Sequence, residues 1–91
     1  MGILRDALEV YGKDAQVLMA IEEMAELQNE LCKENRGRST KESIAEEVAD
    51  VEIMLEQMKI LFEIEGAVKN LKDYKIIRLQ GRIADKAKRR K

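Results

Sequence analysis

No proline occurs anywhere in this 91-residue chain, and that absence constrains its fold more than any other feature. Proline removes a backbone donor and clashes with the preceding turn, so it is the strongest local stop for a helix. Here Ala, Glu, Lys, Leu and Arg supply 48 of the residues, so strong helix formers run from end to end with few interruptions. The expected class is all-α, a helical bundle forming a single domain over residues 1–91. A bundle this small builds only a marginal core, so further copies of the chain are expected to complete it, a dimer at least and a tetramer in reach.

The apolar spacing divides the chain into four helices. The first covers residues 3–11, with Ile3, Ala7, Leu8 and Tyr11 inward, and Gly12 stops it. Asp14 suits the next N-cap, and residues 15–34 follow with Val17, Ile21, Met24, Leu27 and Leu31 at three- and four-residue steps. On this second helix Leu18, Ile21 and Ala25 add a further apolar flank beside Ala20, Met24, Leu27 and Leu31. So wide an arc predicts burial on more than one side. Residues 35–39 (Asn-Arg-Gly-Arg-Ser) read as a turn, and Ser39 with Glu42 matches a capping box. The third helix is expected from about Thr40 to Ile64, on the seam Ile44, Val48, Val51, Leu55, Met58, Phe62. Gly66 is the expected break before a fourth helix bearing Val68, Leu71, Ile76, Leu79 and Ile83, and the basic stretch from Lys86 to Lys91 is expected to fray. Cys32 and Tyr74 read as core or half-buried bundle residues.

Composition removes many chemistries. With no histidine and one cysteine, there is no Ser-His or Cys-His catalysis, no histidine metal site and no internal disulfide. Three aromatics and no tryptophan make a stacked single-strand platform a poor fit, so nucleic acid is not an expected partner. Gly-rich phosphate loops are absent. With no apolar run of membrane-spanning length and a charged N-terminal stretch, a cytoplasmic protein without membrane attachment is expected. Carboxylate, ammonium and guanidinium remain, and they are segregated. Residues 1–65 hold 16 acids and 7 bases, whereas residues 66–91 hold 2 acids and 10 bases. One reading is complementary helices attracting one another; the other is an acidic metal site facing a basic anion site.

The acids carry the sharper reading. If the two long helices form an antiparallel hairpin about the 35–39 turn, residues whose numbers have a constant sum lie level. Glu26 with Glu47, and Glu23 with Asp50, share one sum. Each helix then offers acids at i and i+3, about 4.5 Å apart along the axis, giving two facing layers of carboxylates. Four such groups repel unless protons or hard cations compensate, and all-oxygen ligation points to Mg²⁺, with Mn²⁺ as a substitute. On the fourth helix Lys75, Arg78 and Arg82 share a face, suited to phosphate oxygens or simply a solvated stripe. Arg36 and Arg38 are either phosphate contacts or mere turn residues.

The string Glu22-Glu23-Met24-Ala25-Glu26, 20 further residues, then Glu47-Val48-Ala49-Asp50 resembles the EExxE…ExxD signature of the MazG-like superfamily of all-α nucleoside triphosphate pyrophosphohydrolases, over roughly residues 14–80. The resemblance implies Mg²⁺ ligation by Glu23, Glu26, Glu47 and Asp50, with Glu22 supporting and Glu23 or Glu26 orienting or deprotonating water. It implies phosphate binding by Lys75 and Arg78, with Asn70 and Lys72 as further contacts. The reaction implied is hydrolysis of a nucleoside triphosphate to the monophosphate and pyrophosphate, in relatives a house-cleaning of non-standard nucleotides. The length is short for a dimeric dUTPase and closer to the compact MazG-like form. The alternative expectation is a non-enzymatic oligomerisation or interaction module with a basic C-terminal helix.

Overall fold

A computed structural model of the chain describes residues 2–89. Four helices follow in order, α1 (Ile3–Tyr11), α2 (Lys13–Asn35), α3 (Lys41–Leu61) and α4 (Glu65–Arg89), and no strand occurs among the described residues. None of these helices is long and apolar enough to cross a membrane.

The breaks have identifiable causes. Gly12 takes φ 87°, donates its N–H to Leu8 O at 3.0 Å and accepts from Gln16 N at 3.2 Å. One residue with the freedom of glycine therefore ends α1 and opens α2. Asp14 falls inside the first turn of α2 rather than capping it, where its charge still complements the helix N-terminus. At the other end of α2, Arg38 N donates to Lys33 O and Gly37 N to Glu34 O, both at 2.8 Å, with Gly37 at φ 72°. This is the paired-bond C-terminal motif that glycine favours.

The cap of α3 lies one residue beyond Ser39. Thr40 has extended backbone and its Oγ1 accepts from Ser43 N at 3.1 Å. Ser39 donates its hydroxyl to the Glu30 carboxylate instead, tying the turn back onto α2. The next break precedes Gly66. Ile64 N donates to Lys59 O at 3.0 Å and Glu63 N to Ile60 O at 3.2 Å. The same C-terminal motif thus recurs, with Glu63 at φ 55° in the position glycine usually takes. Gly66 lies within the first turn of α4, and α4 continues through the basic stretch to Arg89. Arg90 and Lys91, the remainder of the expected fraying tail, lie outside the described residues.

Packing is led by α2 against α3, with α1 laid against both and α4 touching α3 alone. The covered row of α2 is Gln16, Ala20, Glu23, Leu27 and Glu30, and that of α3 includes Ile44, Glu47, Val51, Met54 and Met58. Steps of four and three in both rows are the period of helices packed side by side. Val17, Leu27, Ile44, Val48, Val51 and Met58 are covered as their spacing predicts. Ile21, Met24, Leu31, Leu55 and Phe62 are exposed, and so are Ile3, Tyr11, Tyr74 and Cys32, all expected inside. The row that α2 and α3 turn towards each other includes glutamates and glutamines, so much of the apolar arc faces outward. The fully buried apolar core is Ala20, Val51 and Met54, accompanied by Gln16 and Gln57. The result is elongated. The radius of gyration is 17.2 Å, against about 12 Å for a compact chain of this length.

Candidate metal centre

Glu23 and Glu26 sit on successive turns of α2, and Glu47 and Asp50 on successive turns of α3. Helix packing brings one carboxylate oxygen each from Glu23, Glu26 and Glu47 within 4.8 Å of one another. Around an octahedral Mg²⁺, adjacent oxygens stand about 3.0 Å apart and opposite ones about 4.2 Å, so the three would have to draw closer to share one ion. Asp50, half-buried on the same helix as Glu47, lies outside that trio, but its charge reaches both Glu23 and Glu47. Glu22 is exposed and outside the cluster.

The electrostatics are those of uncompensated acids. Glu23 Oε2 and Glu47 Oε2 are shut off from water without a hydrogen-bond partner. Desolvation first, and then the charges of Glu26, Asp50 and Glu47, push the Glu23 carboxyl above its ordinary 4.5. Glu47 is pushed up by desolvation and by the charges of Glu26, Asp50, Glu46 and Glu30. Burial and like charge both favour the neutral acid, and a hard divalent cation relieves both at once. An all-oxygen donor set with two unpartnered, desolvated oxygens therefore fits Mg²⁺ or Mn²⁺ and fits soft-metal chemistry poorly.

The basic residues are placed differently. Asn70, Lys72, Lys75 and Arg78 lie on α4, all exposed, and among the described residues α4 does not touch α2. Lys72 shares a cavity wall with Ala49, Glu52 and Glu56 of α3. Arg78 stands 5.7 Å from the Tyr74 ring, and Arg82 lies four residues further along the exposed helix. Within one chain the four phosphate candidates are thus not assembled around the acids. Arg36 and Arg38 stay exposed in the turn.

Two polar residues of the buried seam escaped the motif reading. Gln16 and Gln57 are 4% and 2% exposed. Their numbers have the same sum as Glu23 and Asp50, and each lies seven residues from one of those acids. The constant-sum spacing used for the acids also singles out this pair in the sequence, two turns away. No family model matches the chain, and no curated protein or solved structure does either.

Proposed function

We propose that this protein is a Mg²⁺-dependent nucleoside triphosphate pyrophosphohydrolase of the MazG-like kind, with Mn²⁺ as a possible substitute. The observation that carries the reading is the convergence of Glu23, Glu26 and Glu47 with two carboxylate oxygens desolvated and unpartnered. Its second support is the EExxE…ExxD pattern that those residues belong to. The finer architecture proposed is an antiparallel α2–α3 hairpin completed by further copies of a cytoplasmic chain.

Mg²⁺, when bound, supplies neutralisation of triphosphate charge and a lowered pKa for an attacking water. Glu23, Glu26, Glu47 and Asp50 hold it, and Glu22 supports the α2 acids from the adjoining position. Glu23 or Glu26 orients the water and takes its proton as the water oxygen bonds to the α-phosphorus. The bond from that phosphorus to the α–β bridging oxygen breaks, and pyrophosphate leaves with the electron pair. Lys75 and Arg78, with Asn70 and Lys72, meet the developing negative charge. Because one chain's α4 stands away from its own α2, these groups serve the acids of a neighbouring copy.

The test is pyrophosphate release from a panel of NTPs and dNTPs with Mg²⁺, with Mn²⁺ and with EDTA. Metal-dependent release of monophosphate and pyrophosphate is expected, abolished by Glu23→Gln with helicity unchanged by circular dichroism. Turnover by that variant at the wild-type rate overturns the assignment. A second reading, the helical interaction module, is favoured by the exposure of almost all of α4. It requires the opposite pattern: no turnover, a melting temperature indifferent to millimolar Mg²⁺ and steeply salt-dependent binding to nucleic acid.

A further inference from the structure

Between Leu18 and Cys32, α2 carries an arc of about 140° with no charged side chain. Leu18, Ile21, Met24, Ala25, Leu31 and Cys32 lie in it, and all are exposed. From Ile21 through Met24 and Gln28 to Leu31 the steps of three and four are those of a seam packed against another helix. The outward face of α3 has no equivalent, because Glu46, Glu52 and Glu56 interrupt it. The side chains next to the α2 arc are Glu22, Glu26 and Asn29 on one edge, and Ala20 and Leu27 on the other. The arc is therefore apolar with acid along one side only.

The complement is on α4. Past Lys72, which shares a cavity wall with α3, every described residue of α4 is exposed. Ile76, Leu79, Ile83 and Ala87 form its apolar stripe, again at steps of three and four. Lys75, Arg78, Arg82 and Lys86 border that stripe on one edge; Asp73, Gln80 and Ala84 border the other. The order of the edges fixes a direction. Seen from each N-terminus, the acids lie clockwise of the α2 arc and the bases anticlockwise of the α4 stripe. Only parallel docking, stripe on arc, sets these two edges side by side. One register then places Met24 level with Ile76, Leu31 with Ile83, and Glu26 with Arg78. Among the described residues α4 does not touch its own α2, so the arc that its charges fit belongs to a second copy.

We propose, building on the reading that further copies complete this chain, that α4 of one copy docks parallel along the uncharged arc of α2 of a second copy, with Lys75, Arg78 and Arg82 beside Glu22 and Glu26. Both apolar faces are covered in one contact. The 16 acids of residues 1–65 in one chain then face the 10 bases of residues 66–91 in the other. The docking holds whether or not the acids turn over a nucleotide.

Cys32, the chain's one cysteine, lies in the arc and serves as the reporter. In the proposed register it faces Ile83 and Lys86 of the second copy. The test mixes the wild-type chain with Cys32→Ser/Ile83→Cys and oxidises the mixture with oxidised glutathione. A disulfide-linked heterodimer is expected, its joined peptides identified by mass spectrometry, at a yield several-fold above the linked dimer from either chain alone. Cys32→Ser/Lys86→Cys gives a second partner should Ile83→Cys loosen the assembly, and it is expected to link as well. Cys32→Ser/Ala84→Cys, on the edge without bases, is expected to link several-fold less. A wild-type chain that links through Cys32 to itself as readily as to either partner overturns the proposal, because the arc then covers a second α2. Equal linking by the Ala84→Cys chain overturns the direction of docking. No mixed link in a protein that sediments as a multimer overturns the docking and leaves completion by further copies standing. A monomer whose α4 floats with phosphatidylglycerol vesicles and not with phosphatidylcholine vesicles overturns both, and gives the basic face to an anionic membrane surface. Pyrophosphate release is a separate readout: a mixed link without turnover keeps the docking and removes the reaction.

Discussion

Glu23 and Glu47 each hold one carboxylate oxygen out of water, among other acids, and the consequence for stability has a definite sign. Both folded-state pKa values lie above the ordinary 4.5, so between that value and the raised one the folded protein binds more protons than the unfolded chain. Their contribution to stability is present below the unfolded value and is lost as pH rises through the folded value. Urea midpoints without divalent cation are therefore expected to fall as pH increases from about 4.5. Millimolar Mg²⁺ at neutral pH is expected to restore them. Replacing both residues by Gln should flatten the pH profile, and an unchanged slope in that double variant would contradict the assignment. The same reasoning expects Glu23→Gln alone to stabilise the metal-free protein while removing turnover. A site that strains the fold is then relieved when its function is lost.

The helix ends show where local rules decide structure. The turn after α2 has Gly37 at the positive-φ position, whereas the turn after α3 has Glu63 there at φ 55°. An L side chain in that region costs roughly 1–2 kcal/mol that glycine escapes, though glycine loses more chain entropy on folding. Glu63→Gly is accordingly expected to stabilise the protein by about 1 kcal/mol, read as a higher urea midpoint at constant slope. A lower midpoint would mean that the Glu63 side chain has a role its exposure does not suggest. The beginnings and ends of helices were partly legible. Gly12 and the 35–39 turn are visible in composition because glycine marks positive φ. The break at Phe62–Ile64 is not, because Glu63 carries no such mark and Gly66 lies close by as a decoy. Ser39 and Thr40 are both competent caps; what separates them is the Ser39 bond to Glu30, a contact nine residues away along the chain.

On the scale of the whole molecule, α4 is the unresolved demand of the fold. Leu71, Ile76, Leu79 and Ile83 are each about half exposed or more, and covering such side chains stabilises a protein by roughly 1–2 kcal/mol apiece. This helix of 25 residues has little of the tertiary packing from which most helical stability in proteins comes. Sedimentation velocity is expected to give a multiple of the monomer mass. Leu79→Asp with Ile83→Asp is expected to return the monomer with reduced helicity. A monomeric wild type with α4 fully helical would remove the argument for completion by further copies, and with it the supply of Lys75 and Arg78 from a neighbour.

The all-helical class is determined by the sequence alone, because the absence of proline and the weight of strong helix formers act residue by residue and need no knowledge of packing. The pairing of Glu23, Glu26 and Glu47 was also within reach, because two helices joined by a short turn leave little freedom over which residues lie level. Which face each helix turns inward was decided only in three dimensions. On α2, Ile21, Met24 and Leu31 have the spacing of a core, yet the covered row also takes in Gln16, Ala20, Glu23 and Glu30; on α3 the expected seam holds at Ile44, Val48, Val51 and Met58, while Leu55 and Phe62 turn outward and Met54 and Gln57 turn in. Hydrophobic periodicity records that a face will be covered, but a helix apolar over a wide arc has more than one such face. The choice between them depends on how neighbouring helices fit together, which a one-dimensional pattern does not contain.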